Sequence, residues 1–467
     1  MKEKNQLNSR SSWSAASVPH SATFFVGIFA VCYLAVLPMA GTIAFRNVAL
    51  LGLLACLAWS FLKQRPSFYW PIPIGLWAAY LFVFPLISDS PIIAAQSLLG
   101  QWGRGLIAML AGAGVAAVFW KKNRGSAFDL GLVTSVPILI HLSLFALKAW
   151  ETSSIPWGYW GRETHHADLG YAAGQAVVLL AAAMAAGNKA IRPWAAALIL
   201  AGLLSTAFAN SRAGFAFVLG GGLLVLACVY LTRASHQRKN VLIAIATLLI
   251  AAVSILFVAI KNDSRWQNMA GQLVAGFSGD AIQIECEGTS SIESKIIAQY
   301  GSGEKAQSVI SAVQGGDGAR MVLLRAGIAL AIKHPWGNDG SKHAYQNLLR
   351  SECSDPVILM AHAHNGWIDT TLALGWAGAI LYLIVLAYFL TVGLRYFRAS
   401  KMLNEWALVL VSLAAFWIIR GFTDSVFRDH MLEMQGFVLS YAAANLWLRR
   451  RTSISAREEK ERLNYPR

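Results

Sequence analysis

Long apolar runs recur along most of this sequence, and they restrict its fold more than any other feature. Each run has roughly 17–25 mostly apolar residues, which is long enough to cross a bilayer as a helix. The chain has 467 residues and is 56% hydrophobic but only 13% charged. Because about a quarter of a soluble domain is charged, this composition excludes an ordinary soluble fold. The sequence therefore predicts an all-α polytopic membrane protein.

The apolar runs predict about twelve transmembrane helices, nine before a long hydrophilic segment and three after it. The first run is too long for the core of a signal peptide and is followed by further spans, so we expect an uncleaved helix. The predicted spans are residues 22–44, 47–62, 68–88, 105–120, 127–149, 169–187, 193–209, 213–232, 240–259, 367–394, 404–421 and 431–449.

Positive charge is distributed unevenly between the loops, and this predicts the orientation. One alternating set of loops, to which both termini belong, is rich in lysine and arginine, and by the positive-inside rule that set is cytoplasmic. The formal net charge of +15 is therefore mainly a signal of topology, and no nucleic-acid-binding module is visible. The charges are Lys63 and Arg65; Lys121, Lys122 and Arg124; Lys189 and Arg192; Arg233, Arg238 and Lys239; Arg395, Arg398 and Lys401; and Arg449, Arg450 and Arg451.

One large hydrophilic segment, residues 260–366, lies on the opposite, external side and is predicted to be a mostly helical domain. It divides the membrane part into residues 22–259, with the first nine spans, and residues 367–449, with the last three. The expected tails, residues 1–21 and 450–467, are cytoplasmic.

The five cysteines fall into two groups. Three lie inside predicted spans, where they serve as apolar filling. Cys286 and Cys353 both lie in the hydrophilic segment, and in an oxidising compartment two such thiols are expected to pair. Their disulfide would close a long loop and stabilise the fold by roughly 4 kcal/mol. No spacing typical of a zinc site accompanies them.

Two histidines lie where the hydrophilic segment ends and an apolar span begins. Residues 361–376 read Ala-His-Ala-His-Asn-Gly-Trp-Ile-Asp-Thr-Thr-Leu-Ala-Leu-Gly-Trp, which puts His362 and His364 at a boundary between water and lipid. Histidine exchanges a proton near neutral pH, so His364 is a candidate general base for a substrate that arrives in the membrane. A polar helix cap that happens to be histidine is the alternative, and residue chemistry alone does not choose between them.

A transporter is the first expectation for twelve spans, but the ionisable residues argue against it. Coupled transporters usually keep such residues near the bilayer midplane. Here the spans are almost free of them; His141 is the main exception, and a lone histidine is more often a hydrogen-bonded structural residue. The ionisable residues collect at the external ends of helices instead: Arg104, Arg212, Arg265, Arg420, Arg428, His364, Asp369 and His430.

Arginine dominates that set although external arginines run against the topological bias. Its planar fork of donors matches phosphate oxygens, so a group of arginines at one membrane face predicts an anionic ligand such as a lipid phosphate or pyrophosphate. For any single arginine, headgroup contact or an ion pair is the alternative; Arg420 and Asp424, four residues apart, could simply pair. Arg320 opens a predicted helix, where positive charge does not favour the helix dipole, which hints that it faces a ligand.

Three short motifs resemble those of the O-antigen ligase and O-antigen polymerase superfamily of bacterial membrane glycosyltransferases. The first is Ser-Arg-Ala-Gly at 211–214, at the start of a span. The second is Arg320, opening a helix that ends in Lys-His-Pro-Trp-Gly at 333–337. The third is His364-Asn365, which leads into a span marked Leu-Gly-Trp-Ala-Gly at 374–378. Each motif is weak alone, but their order and spacing are fairly specific over most of residues 200–380.

The resemblance implies an O-antigen ligase of the Gram-negative inner membrane. Such an enzyme transfers a polysaccharide from undecaprenyl pyrophosphate to lipid A–core oligosaccharide at the periplasmic face, inverting the anomeric centre. His364 would be the base, Arg212 and Arg320 would stabilise the departing diphosphate, and no metal ion or other cofactor is expected. The candidate substrate-binding residues are Arg265, Asn365, Arg104, Arg325 and His362.

Other activities fit the same sequence. An O-antigen polymerase uses a similar donor with a lipid-linked acceptor, but such enzymes often have two sizeable external loops, and here only one is large. A protein O-oligosaccharyltransferase shares the donor and is poorly separated by sequence. A transporter of lipid-linked glycans, a different class of protein, would lack a base and would tolerate replacement of His364.

Overall fold

The computed structural model shows a helical protein, in agreement with the predicted fold class. It describes residues 20–64, 67–120, 125–161, 166–187, 189–233, 235–262, 269–314, 316–357, 360–399 and 404–464, and these contain no β-strand. The helices before the hydrophilic segment are α1 His20–Val36, α2 Ile43–Gln64, α3 Ile72–Ile87, α4 Pro91–Ser97, α5 Gly103–Trp120, α6 Ala127–Thr134, α7 Val136–Thr152, α8 His166–Ala186, α9 Arg192–Phe208, α10 Arg212–Thr232 and α11 Ser235–Asn262.

The remaining helices form the hydrophilic segment and the C-terminal part. They are α12 Met269–Ala275, α13 Ala281–Glu287, α14 Ser290–Tyr300, α15 Glu304–Gln314, α16 Gly316–Lys333, α17 Ala344–Glu352, α18 Gly366–Ala399, α19 Glu405–Gly421 and α20 Asp429–Asn464. The hydrophilic segment is therefore mostly helical, as predicted.

Every one of the twelve predicted spans coincides with helix. Among the residues that the structure describes, eight helices are long and apolar enough to cross a membrane by length and composition alone. Two more, Thr23–Val36 and Ile72–Ile87, are apolar but shorter. The first span is shorter than predicted because helix α1 ends at Val36 and a turn at 37–42 follows. The chain is a multi-pass membrane protein.

The bundle is held together by long helix pairs, of which α5 with α20, α8 with α10 and α18 with α19 are the most extensive. Small residues let two of these backbones approach closely. A Cβ atom on Gly170 of α8 would lie only 2.9 Å from the Cα of Gly214 in α10. In membranes, where lipid removes most of the hydrophobic driving force, such close packing is a main source of helix association.

A disulfide braces the hydrophilic segment. Cys286, in the last turn of α13, is bonded to Cys353, which follows α17, with their Cα atoms 5.9 Å apart. The Val357 amide also donates to the Cys286 carbonyl at 3.2 Å. The predicted pairing is thus confirmed.

Helix α18 is interrupted at Gly375, whose φ of 73° and ψ of 173° are not helical. The loop after α16 fills the break: the Trp376 amide donates to the Pro335 carbonyl at 3.0 Å, and the Gly340 amide donates to the Ala373 carbonyl at 3.0 Å. A Cβ atom on Gly337 would overlap the Gly375 nitrogen. Two of the sequence motifs, Lys-His-Pro-Trp-Gly and Leu-Gly-Trp-Ala-Gly, therefore meet at one joint between loop and helix.

Candidate active site

The loop that carries the two histidines, residues 361–365, is anchored at its C-terminal end. The buried Asn365 caps α18, because its side-chain oxygen accepts from the Ile368 amide at 3.0 Å. The Asn365 amide group donates to the Phe422 carbonyl at 3.0 Å, and the Gly366 amide donates to the Asp424 carbonyl at 2.9 Å. This histidine loop is thereby tied to the turn between α19 and α20. Asn365 orients the loop, while its predicted contact with substrate stays a prediction.

His364 lies at the end of this loop in an uncommon backbone conformation. Its φ of 52° falls in the left-handed region, which costs a residue with a Cβ atom about 1–3 kcal/mol. Its Nδ1 lies 3.7 Å from Oδ1 of Asp424, and a fifth of the side chain is exposed. With Nδ1 facing a carboxylate, Nε2 is on the other side of the ring, available to take a proton from a bound molecule.

His362 supports the same conformation from within the loop. Its Nδ1 accepts a hydrogen bond from the His364 amide at 3.3 Å and from the Ser425 hydroxyl at 2.9 Å, so this nitrogen carries no proton. Burial, together with the positive charges of His364 and Arg428, lowers the pKa of His362 to about 3. His362 is therefore neutral at physiological pH, and its visible contacts position His364.

Asp424 is the centre of the polar contacts behind His364. Burial alone would raise the pKa of Asp424, but the adjacent His364 imidazole, the charge of Arg420 and the Tyr171 hydroxyl outweigh burial and lower it. The Arg420 Nη2 atom lies 3.3 Å from Asp424 Oδ2. Arg420 itself is buried, with its guanidinium 5.0 Å from the ring centre of Tyr171 and 4.5 Å from that of Phe217. The carboxylate is thus ionised, and it can stabilise a protonated His364.

The ion pair of Arg420 with Asp424, which the sequence offered as an alternative to ligand binding, is present, and it holds the residue that faces His364. Arg420 therefore forms an internal ion pair. The pair still belongs to the site, because Asp424 faces His364.

Arg212 and Arg320 come together on one carboxylate. The Arg212 Nη2 atom lies 2.9 Å from Oδ2 of Asp317, and the Arg320 Nη1 atom lies 3.6 Å from Oδ1. Asp317 opens α16, where its negative charge favours the helix dipole. Arg212 is mostly buried, whereas 44% of the Arg320 side chain is exposed. We call these three residues the arginine group.

The histidine loop and the arginine group lie at the same end of the bundle. Helix α16 packs on the loop, since a Cβ atom on Gly327 would lie 2.8 Å from the Cβ of Ala363. The charge of Arg320 contributes to the lowered pKa of His362. The structure thus places the three residues predicted to be catalytic, which come from α10, α16 and the loop before α18, at one end of the bundle.

The other predicted ligand-binding arginines have different surroundings. Arg104 forms an ion pair with the buried Glu433 at 3.0 Å. Arg325 donates to the carbonyls of Gly276 at 3.0 Å and Ser278 at 3.3 Å, so it fixes the turn between α12 and α13. A role for either residue in binding substrate stays a prediction, and Arg265 lies outside the described residues.

His141 is confirmed as a structural histidine. Its Nε2 lies 2.9 Å from the Tyr159 carbonyl oxygen, and its Nδ1 lies 2.9 Å from the Ser205 hydroxyl. The bond to a carbonyl fixes the proton on Nε2, so Nδ1 accepts from the serine. Both nitrogens are occupied within the bundle.

Of the two acids of the site, Asp317 was not singled out from the sequence, and Asp424 was considered only as a partner of Arg420. Only a modest signal for them is present in the sequence: each is a carboxylate in a loop or at a helix start near a candidate arginine. In the described part of the chain, no group of three or more His, Cys, Asp or Glu side chains is arranged to hold a metal ion. The acids instead pair with arginine and histidine.

Residues 194–383 match the family model described as O-antigen ligase. The match covers less than half of the chain, includes Arg212, Arg320 and His364, and ends before Asp424. No curated protein matches the chain. The resemblance inferred from the three motifs is thereby confirmed.

Proposed function

We propose that this membrane protein, whose central region carries the O-antigen ligase domain, ligates O-antigen polysaccharide from undecaprenyl pyrophosphate onto lipid A–core oligosaccharide. The family match supports a glycosyltransferase-like enzyme that acts on lipid-linked polysaccharides; the donor, acceptor and mechanism are our proposal. One observation carries it: a histidine backed by an ionised carboxylate lies at the same end of the bundle as two arginines.

In the proposed reaction, Nε2 of His364 removes the proton from an acceptor hydroxyl. That oxygen attacks the anomeric carbon of the donor sugar as the bond between this carbon and the diphosphate oxygen breaks. The bonding electrons leave with undecaprenyl pyrophosphate, and the anomeric centre inverts. Asp424 stabilises the imidazolium that forms, in the way that a buried aspartate assists other histidine bases.

The arginine group binds the diphosphate. Negative charge grows on the leaving oxygen in the transition state, so fixed positive charge beside it accelerates the reaction. Arg212 and Arg320 together outnumber Asp317, which leaves this group with one net positive charge. Because pyrophosphate is already a good leaving group, we propose that the reaction needs neither a strong general acid nor a metal ion, and that it persists in a chelator.

We place the site at the periplasmic face of the inner membrane, with both termini cytoplasmic. The distribution of lysine and arginine between the loops supports this orientation. The Cys286–Cys353 disulfide supports it too, because disulfides persist in the oxidising periplasm. The polysaccharide donor and the lipid A–core acceptor would then meet on the side where the histidine loop lies.

The test is glycan transfer in a strain that lacks its own ligase. Wild type should restore the lipopolysaccharide ladder, and His364→Ala, Arg212→Ala and Arg320→Ala should each abolish it at matched membrane levels. Lys333→Gln is a matched control, because Lys333 is half exposed and its charge pairs with Glu352 rather than with a residue of the proposed site. A ladder that survives His364→Ala would remove the proposed base.

Two other outcomes would redirect the assignment. If wild type makes no ladder but lengthens lipid-linked glycan, the acceptor is a second lipid-linked chain and the enzyme is a polymerase. If glycan appears on serine or threonine of a protein instead, the enzyme is a protein O-oligosaccharyltransferase.

A further inference from the structure

A second group of positive charges borders the histidine loop, and the mechanism above does not use it. Its members come from helix starts and loops that meet beside α20. We call it the second basic group: Arg46, Arg104, Lys342 and Arg428, with the two acids Asp429 and Glu433.

Asp429 organises the outer half of this group. Lys342 Nζ lies 3.4 Å from its Oδ1, and Arg428 Nε lies 3.6 Å from its Oδ2. Asp429 has a φ of 47°, a left-handed conformation like that of His364. Lys342 is 43% exposed, so this half is open to a large ligand. The next residue, His430, faces a different carboxylate: its Nε2 lies 3.5 Å from Oδ1 of Asp168.

Glu433 organises the inner half. One turn after Asp429 on α20, it receives a 2.6 Å hydrogen bond from the Tyr33 hydroxyl and lies 3.0 Å from Arg104 Nη2. Arg46 is 7% exposed and interacts electrostatically with both Glu433 and Asp429. Because Glu433 and Arg46 are buried, the geometry around them is fixed before any ligand arrives.

The group is positively charged and incompletely paired. Four cations face two carboxylates, so its net charge is +2. Among the described residues, Nη1 of Arg428 and Nε of Arg46 are buried without a hydrogen-bond partner. A buried donor without a partner is costly, so such atoms point to a missing acceptor. An anionic oxygen at Arg428 would supply the missing acceptor there and reduce the net positive charge of the group.

Arg428 connects this group to the chemistry. Its charge contributes to the lowered pKa of His362, and it lines a small cavity with Asp369 and Ser425, the partner of His362. Arg320, from the arginine group, also contributes through its charge to the lowered pKa of His362. Two basic groups with separate acids thus border one histidine loop, whereas a single diphosphate needs only one of them.

We propose that the second basic group is the acceptor subsite, and that the acceptor is an anionic glycolipid whose phosphate groups bind Lys342, Arg428 and Arg104. This rests on the proposed function, because it assigns the donor diphosphate to Arg212 and Arg320. Acceptor phosphates held at Arg428 would bring a neighbouring sugar hydroxyl toward His364. Phosphate recognition by a fixed arginine fork and a lysine is well matched chemically.

The experiment uses the full-length protein in nanodiscs of zwitterionic phosphatidylcholine, with a lipid-linked donor and two acceptors. The acceptors are phosphorylated lipid A–core and the same molecule after phosphatase treatment. The double variant Lys342→Gln/Arg428→Gln should raise KM for the phosphorylated acceptor about tenfold or more, the scale of one lost charge-assisted hydrogen bond. KM for the donor should stay unchanged. Lys333→Gln should change neither.

The dephosphorylated acceptor distinguishes phosphate binding from a general loss of structure. Wild type should already bind it poorly, and the double variant should lose little more. Equal losses for both acceptors, or a raised KM for the donor, would overturn the proposal. If phosphatidylglycerol added to the nanodiscs abolishes the difference between the acceptors in wild type, the group binds membrane headgroups and the proposal also fails.

A binding measurement separates this proposal from the proposed function. Native mass spectrometry without donor should show the phosphorylated acceptor retained by wild type and by His364→Asn, and lost from Lys342→Gln/Arg428→Gln. Retention without transfer in wild type would leave the subsite intact and reject the ligase activity. Transfer by wild type together with equal retention by the double variant would reject the subsite.

Discussion

The histidine loop and the arginine group border the same site but are built differently. His364 is held by a left-handed backbone, by the acceptor nitrogen of His362 and by Asp424, and the loop is anchored through Asn365. The arginine group is held by Asp317 across two distant parts of the chain, and nearly half of Arg320 is exposed.

The difference corresponds to what each group has to do. A general base must present one nitrogen at hydrogen-bond distance and in the right direction, so a loose histidine loses most of its effect. Positive charge acts over a longer range and in all directions, so arginines that move with a diphosphate still stabilise it. We therefore expect small changes to be much more damaging at the histidine loop than at the arginine group.

The largest loss is expected from His364→Asn. Asparagine tolerates the left-handed backbone, so this variant removes the base and spares the fold. The initial rate of glycan transfer should fall about 10²–10⁴-fold, the usual contribution of general base catalysis. The melting temperature in nanodiscs should match that of wild type. A rate within a few fold of wild type would mean that His364 is structural.

Asp424→Asn should come next, with a loss of about 10²-fold. The shape is kept, but the charge that favours an imidazolium at His364 is removed, and Arg420 loses its partner. The loss should appear in kcat, with little change in KM for the donor. If KM for the donor rises and kcat is preserved, Asp424 acts on binding, and the contrast between the two regions is not supported.

Asp317→Asn should have a smaller effect, about tenfold or less. The variant loses the anchor of two arginines, but it also removes a carboxylate that competes with the diphosphate for them. Steady-state kinetics should show the change mainly in KM for the donor. A loss as large as that of Asp424→Asn would show that the arginine group also needs fixed geometry.

Glu285→Gln should leave transfer unchanged and alter only stability. Burial raises the pKa of Glu285 to about 7, although the Tyr345 hydroxyl donates to it. The folded state thus binds more protons than the unfolded state between the ordinary carboxyl pKa and about pH 7, so wild-type stability falls as pH rises through this window. The variant should gain up to about 3 kcal/mol at pH 8 and little at pH 4.

Thermal unfolding at those two pH values is the measurement, with Glu287→Gln as a control, because Glu287 is the exposed acid at the end of the same helix. Equal stability changes at both pH values would contradict a buried, protonated Glu285.

Much of the fold followed from the sequence because lipid imposes strict rules. Long apolar runs have to be helices, and every predicted span contains a helix. The disulfide could be predicted because the hydrophilic segment contains two cysteines, Cys286 and Cys353, and was expected to lie in an oxidising compartment. These inferences need no knowledge of which helices touch.

The partners in the site could not be predicted, because they depend on tertiary contacts. Asp317 joins Arg212 only through the packing of α16 near α10, and Asp424 reaches His364 only through the turn after α19. The sequence placed Arg325 among the ligand-binding residues, but its donors are directed at loop carbonyls. The π-helical turn at Leu98–Trp102 and the interruption at Gly375 also lay outside what an apolar pattern can indicate.

The interruption at Gly375 has a consequence for biogenesis. A broken helix is tolerated at membrane depth only where other protein covers its peptide groups, and here residues 335–340 provide that cover. The ribosome makes those residues before Gly375, so the bonding partners are already present when α18 and the helices after it are inserted. In a circular permutant that began at residue 367, the interruption at Gly375 would be synthesised before residues 335–340, so its peptide groups would at first have no bonding partners. We expect that permutant to insert poorly, although it would contain every residue of the native protein.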